Sequence, residues 1–289
     1  MPQAAGSATD NIARVVAPEM AKILGQPVVV DNRPGGALTV GIDAVAKAAP
    51  DGYTIGQGPV GALAITRHMV AKLPYDIERD LQPVAVVTTG YMLLAASPKA
   101  PFNTVKELID YAKKNPGKLF NASSSNGSPG HVSGELFKYM TGTDITHIPY
   151  KGGAPAMTDV IAGQIQMLFS TILQSHAHIK AGRLRPLAVT TVKRSAAAPE
   201  LPTMREAGVP GYEVAGWYGI LAPAKTPQPI ITKLNQEIVR ILHTDELKDR
   251  LSADGSEPVG NTPEQFGAHI KSEVAKWSKV VKEAGIRAE

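Results

Sequence analysis

Short apolar or β-branched runs alternate along this chain with segments whose apolar residues recur at the helical period. That alternation restricts the fold to an α/β class with crossover connections. Thr9 or Asp10 can cap a helix carrying Ile12, Val16, Met20 and Ile23 on one face; Gly25 ends it, and PVVVD at 27–31 reads as a buried strand. The turn Arg33-Pro34-Gly35-Gly36 leads to a helix at 39–49, and Asp51-Gly52 to a strand at 53–55. Two further strands are expected at 82–88 and 91–96. From Pro98 the pattern restarts with a capping box, Thr104 and Glu107, on a helix reaching Lys114. Strands at 118–122, 147–150, 164–169 and 184–190 then alternate with helices at 129–140, 155–162 and 175–181. The expectation is parallel sheets in two α/β lobes.

Residues 198–211 are rich in Pro and Gly and read as a connector, 212–222 as an apolar strand, and 227–288 as helices broken near 255–263. The chain therefore crosses between lobes near 96–100 and again near 212–220. This gives lobe I as 1–97 plus 218–289 and lobe II as 98–217, with a hinge and a central ligand cleft. A length of 289 residues suits two such lobes.

Composition removes several functions. With no cysteine there is no disulfide framework, thiolate metal site or cysteine nucleophile. A net charge of +4, with Lys and Arg scattered among acids, offers no basic stripe for nucleic acid. The most apolar stretch, 83–96, is broken by Thr88, Thr89 and Gly90 and is too short to span a bilayer, and MPQAAGSATD carries no leader.

Motifs for chemistry are weak. Gly56-Gln57-Gly58-Pro59-Val60-Gly61 matches the dinucleotide-loop spacing, with Asp76 and Asp80 roughly 20 residues on, but Pro59 removes an N–H that a pyrophosphate would need. Ser125 and Ser128 lie near His131 without an evident orienting acid. His176 and His178 diverge on a helix and cannot chelate, so no metal is expected; His68, His147, His243 and His269 read as isolated structural or solvated residues. What recurs is a small, polar or Gly-rich loop running straight into a helix, at 6–9, 58–61, 123–128 and 152–153. Each leaves N–H donors at a helix start, where an anion is favoured by ~0.3–1 kcal/mol. The reading is either ordinary caps or a shared anion site.

The stretches SSSNGSPGHVSGELFKYMTG and HIPYKGGAPAMTDVIAGQIQMLF, with VVVDNRPGGA, LPYDIERDLQPV, IKAGRLRPLAVTT, LPTMREAGVPGYEVAGWYGILAPAKTP and EPVGNTPEQF in order, resemble the substrate-binding proteins of tripartite tricarboxylate transporters, the Bug family. The resemblance spans nearly the whole chain. It implies a two-lobed type II periplasmic-binding-protein fold and a non-enzymatic, monomeric periplasmic receptor. Such a receptor needs no cofactor and delivers a small carboxylate to membrane permease subunits. Carried over by position, the ligand-binding residues are Gly6, Ser7, Ala8, Thr9 and Asp10; Pro59, Gly61 and Ala62; Ser124, Ser125, Asn126, Gly127, Ser128 and His131; Tyr150, Lys151 and Gly152; and Ser170 and Thr171. Trp217, with Tyr150, Tyr212 and Tyr218, is a candidate for an apolar wall or for core packing.

Two departures stand out. Many relatives carry Asp after the QMLF-like strand where this chain has Ser170-Thr171, which favours a carboxylate or dicarboxylate over an amino acid. Relatives also begin with a leader and a strand that feeds the first loop; Met1-Pro2-Gln3 falls at that strand's end. The leader and most of a strand are thus expected to be missing, which leaves two neighbouring segments with unpaired edges. The alternatives left open are a Rossmann-like or hydrolytic enzyme at 56–61 or Ser125/His131, and a ligand sensor docking to a signalling partner.

Overall fold

A computed structural model describes residues 1–195, 198–253 and 256–286. In chain order it contains α1 (Ala8–Leu24), α2 (Thr39–Ala46), β1 (Gly56–Pro59), α3 (Ile77–Asp80), β2 (Leu81–Ala96), α4 (Val105–Lys114), β3 (Leu119–Ser123) and α5 (Pro129–Thr141). There follow β4 (Ile145–Pro149), α6 (Gly153–Ala162), β5 (Met167–Thr171), α7 (Ile172–Lys180), β6 (Arg185–Val189) and β7 (Ala215–Pro223). The chain closes with α8 (Gln228–Leu242), α9 (Asp245–Ala253), β8 (Ser256–Pro258) and α10 (Pro263–Ala284). Among the described residues no helix is long and apolar enough to cross a membrane.

The chain divides into two compact units, the first taking Met1–Thr89, Trp217–Ser252 and Ser256 onward, the second principally Gly90–Gly216. The first crossing thus lies inside β2 rather than at 97/98. The two strands expected at 82–88 and 91–96 are one 16-residue strand, because Thr88, Thr89 and Gly90 all accept extended backbone. The return crossing falls within β7.

In the first unit β1 pairs antiparallel with β7, Gly56 opposite Leu221, and β7 adjoins β2, which also carries β8. The helix α1 starts where the Ser7 hydroxyl accepts the Asp10 N–H at 3.2 Å and stops where Gly25 turns left-handed at φ 67°. Its Ile12, Val16 and Met20 meet Ile231, Leu234 and Ile238 of α8 in one buried cluster with Val84 and Val87 of β2. Two expected strands do not form. Residues 27–31 join no ladder, and neither do 53–55, where strand pairing begins only at Gly56. A β-branched run becomes a strand only with a neighbouring strand to take its N–H and C=O groups in a ladder, and among the described residues neither segment has one.

In the second unit the strand order is β6, β2, β5, β3, β4. β3 is parallel to β4 and β5, as the crossovers require, whereas β2 is antiparallel to β5 and β6. The sheet is therefore mixed rather than parallel, since the strand that brings the chain in runs against its neighbours. Leu93, Ala122, Met157, Val160, Leu168 and Ile172 pack into its core. The Thr104 box is half-formed: its hydroxyl takes the Glu107 N–H at 3.1 Å, but the Glu107 carboxylate turns to the Asn103 N–H at 2.6 Å.

Candidate functional site

Each unit holds its own cluster of the loops singled out by sequence. In the first unit Gly6 takes φ 78°, which lets the chain turn sharply into α1. The turn is fastened by Asp10, which is only 1% exposed. Its Oδ2 accepts from the Gly6 N–H and from Arg14 Nε, both at 2.9 Å, and its Oδ1 from Asn32 Nδ2 at 3.0 Å. Burial pushes this carboxyl up, but the Arg14, Gly6 and Asn32 hydrogen bonds outweigh it and hold Asp10 below the ordinary carboxylate range. Asp10 therefore spends its charge inside the loop. Thr9 is likewise engaged, its hydroxyl donating to Gln3 Oε1 and its carbonyl accepting Gln57 Nε2 at 3.0 Å. Gln57 thereby joins the first loop to β1, and Pro59, Gly61 and Ala62 follow it, fully buried, into a wide helical turn.

The glycines of the 56–61 motif have another use. A Cβ on Gly56 would stand 2.7 Å from Val45, and one on Gly58 3.1 Å from Ile42. Gly56 and Gly58 are β1 residues that let α2 pack closely, not a phosphate turn. Asp76 caps α3, and Asp80 pairs with Arg79 at 2.7 Å, so neither serves a ribose. The dinucleotide reading falls.

In the second unit β3 ends in the loop Ser124 to Ser128, and Ser128 caps α5 by accepting the His131 N–H at 3.3 Å. The β4–α6 turn is stitched to it: the Tyr150 N–H donates to the Ser123 carbonyl and the Gly152 N–H to Ser124, both at 2.9 Å. Gly130 seats α5 against β5, since a Cβ there would lie 2.6 Å from the Phe169 carbonyl. Next along β5, Ser170 is buried and directs its hydroxyl toward the Thr171 carbonyl at 3.3 Å, while the Thr171 hydroxyl caps Gln174 at 3.3 Å. Gln174 in turn sits where a side chain on Gly153 would be, 2.8 Å from its Cβ position. The loop, His131, the 150–152 turn and Ser170-Thr171 thus belong to one cluster. Tyr150 bonds Asp159, Lys151 is exposed, and the Ser125 hydroxyl is buried with no partner among the described residues.

His147 is not isolated. Its ring stacks on His131 with centroids 3.9 Å apart, and its Nε2 lies 2.6 Å from the Ser123 hydroxyl. That hydroxyl donates to the Ser125 carbonyl at 3.0 Å, so His147 must supply the proton at Nε2. His131 Nδ1 accepts the Gly127 N–H at 3.1 Å. Both rings are neutral: burial, with the neighbouring ring and Lys138, lowers His131 to about 3, and burial with Lys138 lowers His147 to about 4. Among the described residues neither Ser125 nor Ser128 gives its hydroxyl to the His131 ring.

Trp217 lies elsewhere. It is buried in the first unit, edge-on to Phe266 at 5.7 Å, and its Nε1 donates to Glu273 at 3.2 Å. Tyr212 stacks on Phe169 and donates to the Ser133 carbonyl, and Tyr218 sits in the α1–α8 core. All three are packing residues. Sequence reasoning passed over Asn32, Gln57 and Gln174, amides whose only signal is the NRPGG turn for the first.

Comparison with known proteins identifies the family. The model of the tripartite tricarboxylate transporter family receptor, TctC, matches residues 12–286. BugT of Bordetella pertussis is 37% identical over 283 residues, covering 98% of this chain and 87% of its own. The solved structure of R. palustris Rpa4515 with adipate is 41% identical, with TM-score 0.94 over 99% of this chain and 96% of that one. MatC from Rhodopseudomonas palustris with bound malate is 32% identical, with TM-score 0.92 over 97% and 96%. A periplasmic-binding-protein fold, donor-rich loops at helix starts and a match over nearly the full length make this chain a member of the TctC family of solute receptors.

Proposed function

We propose that this protein is a monomeric periplasmic receptor that binds a small dicarboxylate and hands it to the permease subunits of a tripartite tricarboxylate-type transporter. The observation that carries the reading is the Ser125 hydroxyl, buried without a partner among the described residues, in a loop that runs into the start of the 13-residue α5. A buried hydroxyl left unpaired costs about 1–3 kcal/mol, and a bound acceptor oxygen repays it. The surroundings suit an anion. The histidine pair is neutral, and the one acid in the first loop, Asp10, is consumed by Arg14, Asn32 and Gly6. At 170–171 the cluster offers two hydroxyls instead of a carboxylate to receive an ammonium group. Adipate and malate, bound by relatives at 41% and 32% identity, are both dicarboxylates. Both loop clusters are proposed to serve one ligand.

Titration calorimetry with adipate, malate, succinate, acetate and aspartate tests this. A dicarboxylate is expected to bind more tightly than acetate or aspartate. Ser125→Ala is expected to weaken that binding about tenfold, the worth of one hydrogen bond, without lowering the melting temperature of the free protein. Tighter binding of aspartate than of any non-amino dicarboxylate would overturn the reading.

A further inference from the structure

Asn126 is the one asparagine of this sequence that precedes a glycine. A side-chain amide in that position is open to attack by the following main-chain nitrogen, because no Cβ on the next residue obstructs the approach. Three other asparagines are worse placed. Asn115 precedes Pro116, whose nitrogen has no hydrogen to lose. Asn121 lies within β3 and Asn235 within α8, where regular backbone commits the following N–H to a ladder or a helix bond.

The loop at 124–128 supplies what the reaction needs. Asn126 is half-buried, so water reaches it, and Gly127 adopts φ 75°, a left-handed turn that glycine takes without strain. The Gly127 N–H points at His131 Nδ1, 3.1 Å away. That is general-base distance for the hydrogen the attacking nitrogen must give up. The ring is fixed in this aim. The His131 N–H donates to the Ser128 hydroxyl at 3.3 Å in the first turn of α5, and the ring face lies on His147 with centroids 3.9 Å apart. Burial, with His147 and Lys138 nearby, keeps the imidazole neutral and its lone pair available.

We propose that Asn126 is a self-modification site, converted to aspartate or isoaspartate through a succinimide closed with Gly127, with His131 Nδ1 as the base. The Gly127 nitrogen bonds to Asn126 Cγ as its hydrogen passes to Nδ1. The Cγ–Nδ2 bond breaks, and the leaving amide takes up that proton and departs as ammonia. One water then opens the ring at either carbonyl. One water enters and one ammonia leaves, and nothing is oxidised or reduced. The product sets a carboxylate next to Ser125 in a loop, 123–128, that otherwise carries no charge. Like charge then excludes an anion from it. This consequence, unlike the modification itself, rests on the carboxylate reading.

The test incubates the full chain at neutral pH, folded and in urea, and follows the amide-to-acid mass gain at Asn126 by peptide mass spectrometry. The folded chain is expected to react at least as fast as the chain in urea, because folding aims the base. His131→Phe, which keeps a ring against His147, is expected to slow the folded reaction at least about tenfold. Mere loosening of the loop would instead leave the rate at the urea value. Folded chain reacting more than about tenfold slower than chain in urea would overturn the proposal, and that comparison decides alone if the variant does not fold. A folded His131→Phe reacting as fast as the parent would remove His131 as the base. In calorimetry with adipate, Asn126→Asp and the aged chain are expected to bind at least about tenfold more weakly than fresh protein. Unchanged binding would overturn the consequence. Absence of dicarboxylate binding by fresh protein would instead overturn the ligand reading, with the mass data still deciding the modification.

Discussion

Asp10 and the stacked histidines show how single side chains set the shape of loops that themselves contact little. Replacing Asp10 by Asn keeps the size but removes the ion pair with Arg14 and turns one acceptor oxygen into a donor facing Gly6 or Asn32. Asp10→Asn is expected to cost about 1–3 kcal/mol in urea unfolding. Because the folded pKa of Asp10 is depressed, its contribution is present above the ordinary carboxylate range and is lost as pH falls through the folded value. The variant should lack that part of the acid limb. The histidines have the same sign for a different reason. Neutral in the fold at about 3 and about 4, they protonate near 6.5 when unfolded, so stability is full above about pH 6.5 and declines as pH falls toward 4. The loss by pH 4 is of order 3 kcal/mol for each ring. A protonated His131 would also turn a hydrogen on Nδ1 against the Gly127 N–H and loosen the loop. The double variant His131→Asn, His147→Gln, which retains an acceptor and a donor near those atoms, should show a flatter melting-temperature profile between pH 7 and 4. A residual slope is expected from His68 and His269, also lowered mainly by burial.

At the scale of elements, two helical glycines separate packing from propensity. A Cβ on Gly134 of α5 would lie 2.1 Å from Asn121 Nδ2, a buried side chain on β3, whereas one on Gly267 of α10 would meet only Pro83 at 3.7 Å. Gly134→Ala is expected to destabilise by about 2 kcal/mol or more through overpacking. Gly267→Ala should stabilise by up to about 1 kcal/mol, since alanine is the better helix former; chemical denaturation of both variants checks the opposite signs. The same distinction explains what was legible in the sequence. Caps and periodicity are local, and so α1, α5 and the strands around 119–123 and 185–189 stood out within a few residues. The fate of 27–31 was not local: a Val run is a strand only if another chain segment lies beside it. The single length of β2 was hidden for a related reason, its Thr-Thr-Gly interruption being compatible with either a turn or an extended crossing. In the candidate site the hydroxyl-rich loops were readable by composition and family likeness. The partnership of His131 with His147, 16 residues apart, depends on β3–β4 pairing and leaves no trace in spacing.

For the whole molecule, the division into two units gives the ligand proposal a thermodynamic signature. A ligand held at about 100 times its dissociation constant stabilises whatever it contacts by about 2.7 kcal/mol. If loops of both units serve one dicarboxylate, differential scanning calorimetry should show the unfolding of both units moving to higher temperature at saturating ligand. Movement of only one would assign the ligand to that unit alone. The choice of signal in such work is dictated by Glu273. The chain has two tryptophans, and both Trp217 and Trp277 donate their indole N–H to the same carboxylate oxygen, at 3.2 and 3.1 Å. Both residues belong to the first unit. Intrinsic tryptophan emission is consequently a single-channel spectroscopic reporter: it follows the melting of α10 against β7 and is blind to the unit that carries Ser125 and the histidine pair. An unfolding curve recorded by that fluorescence alone would describe half of the protein while seeming to describe all of it.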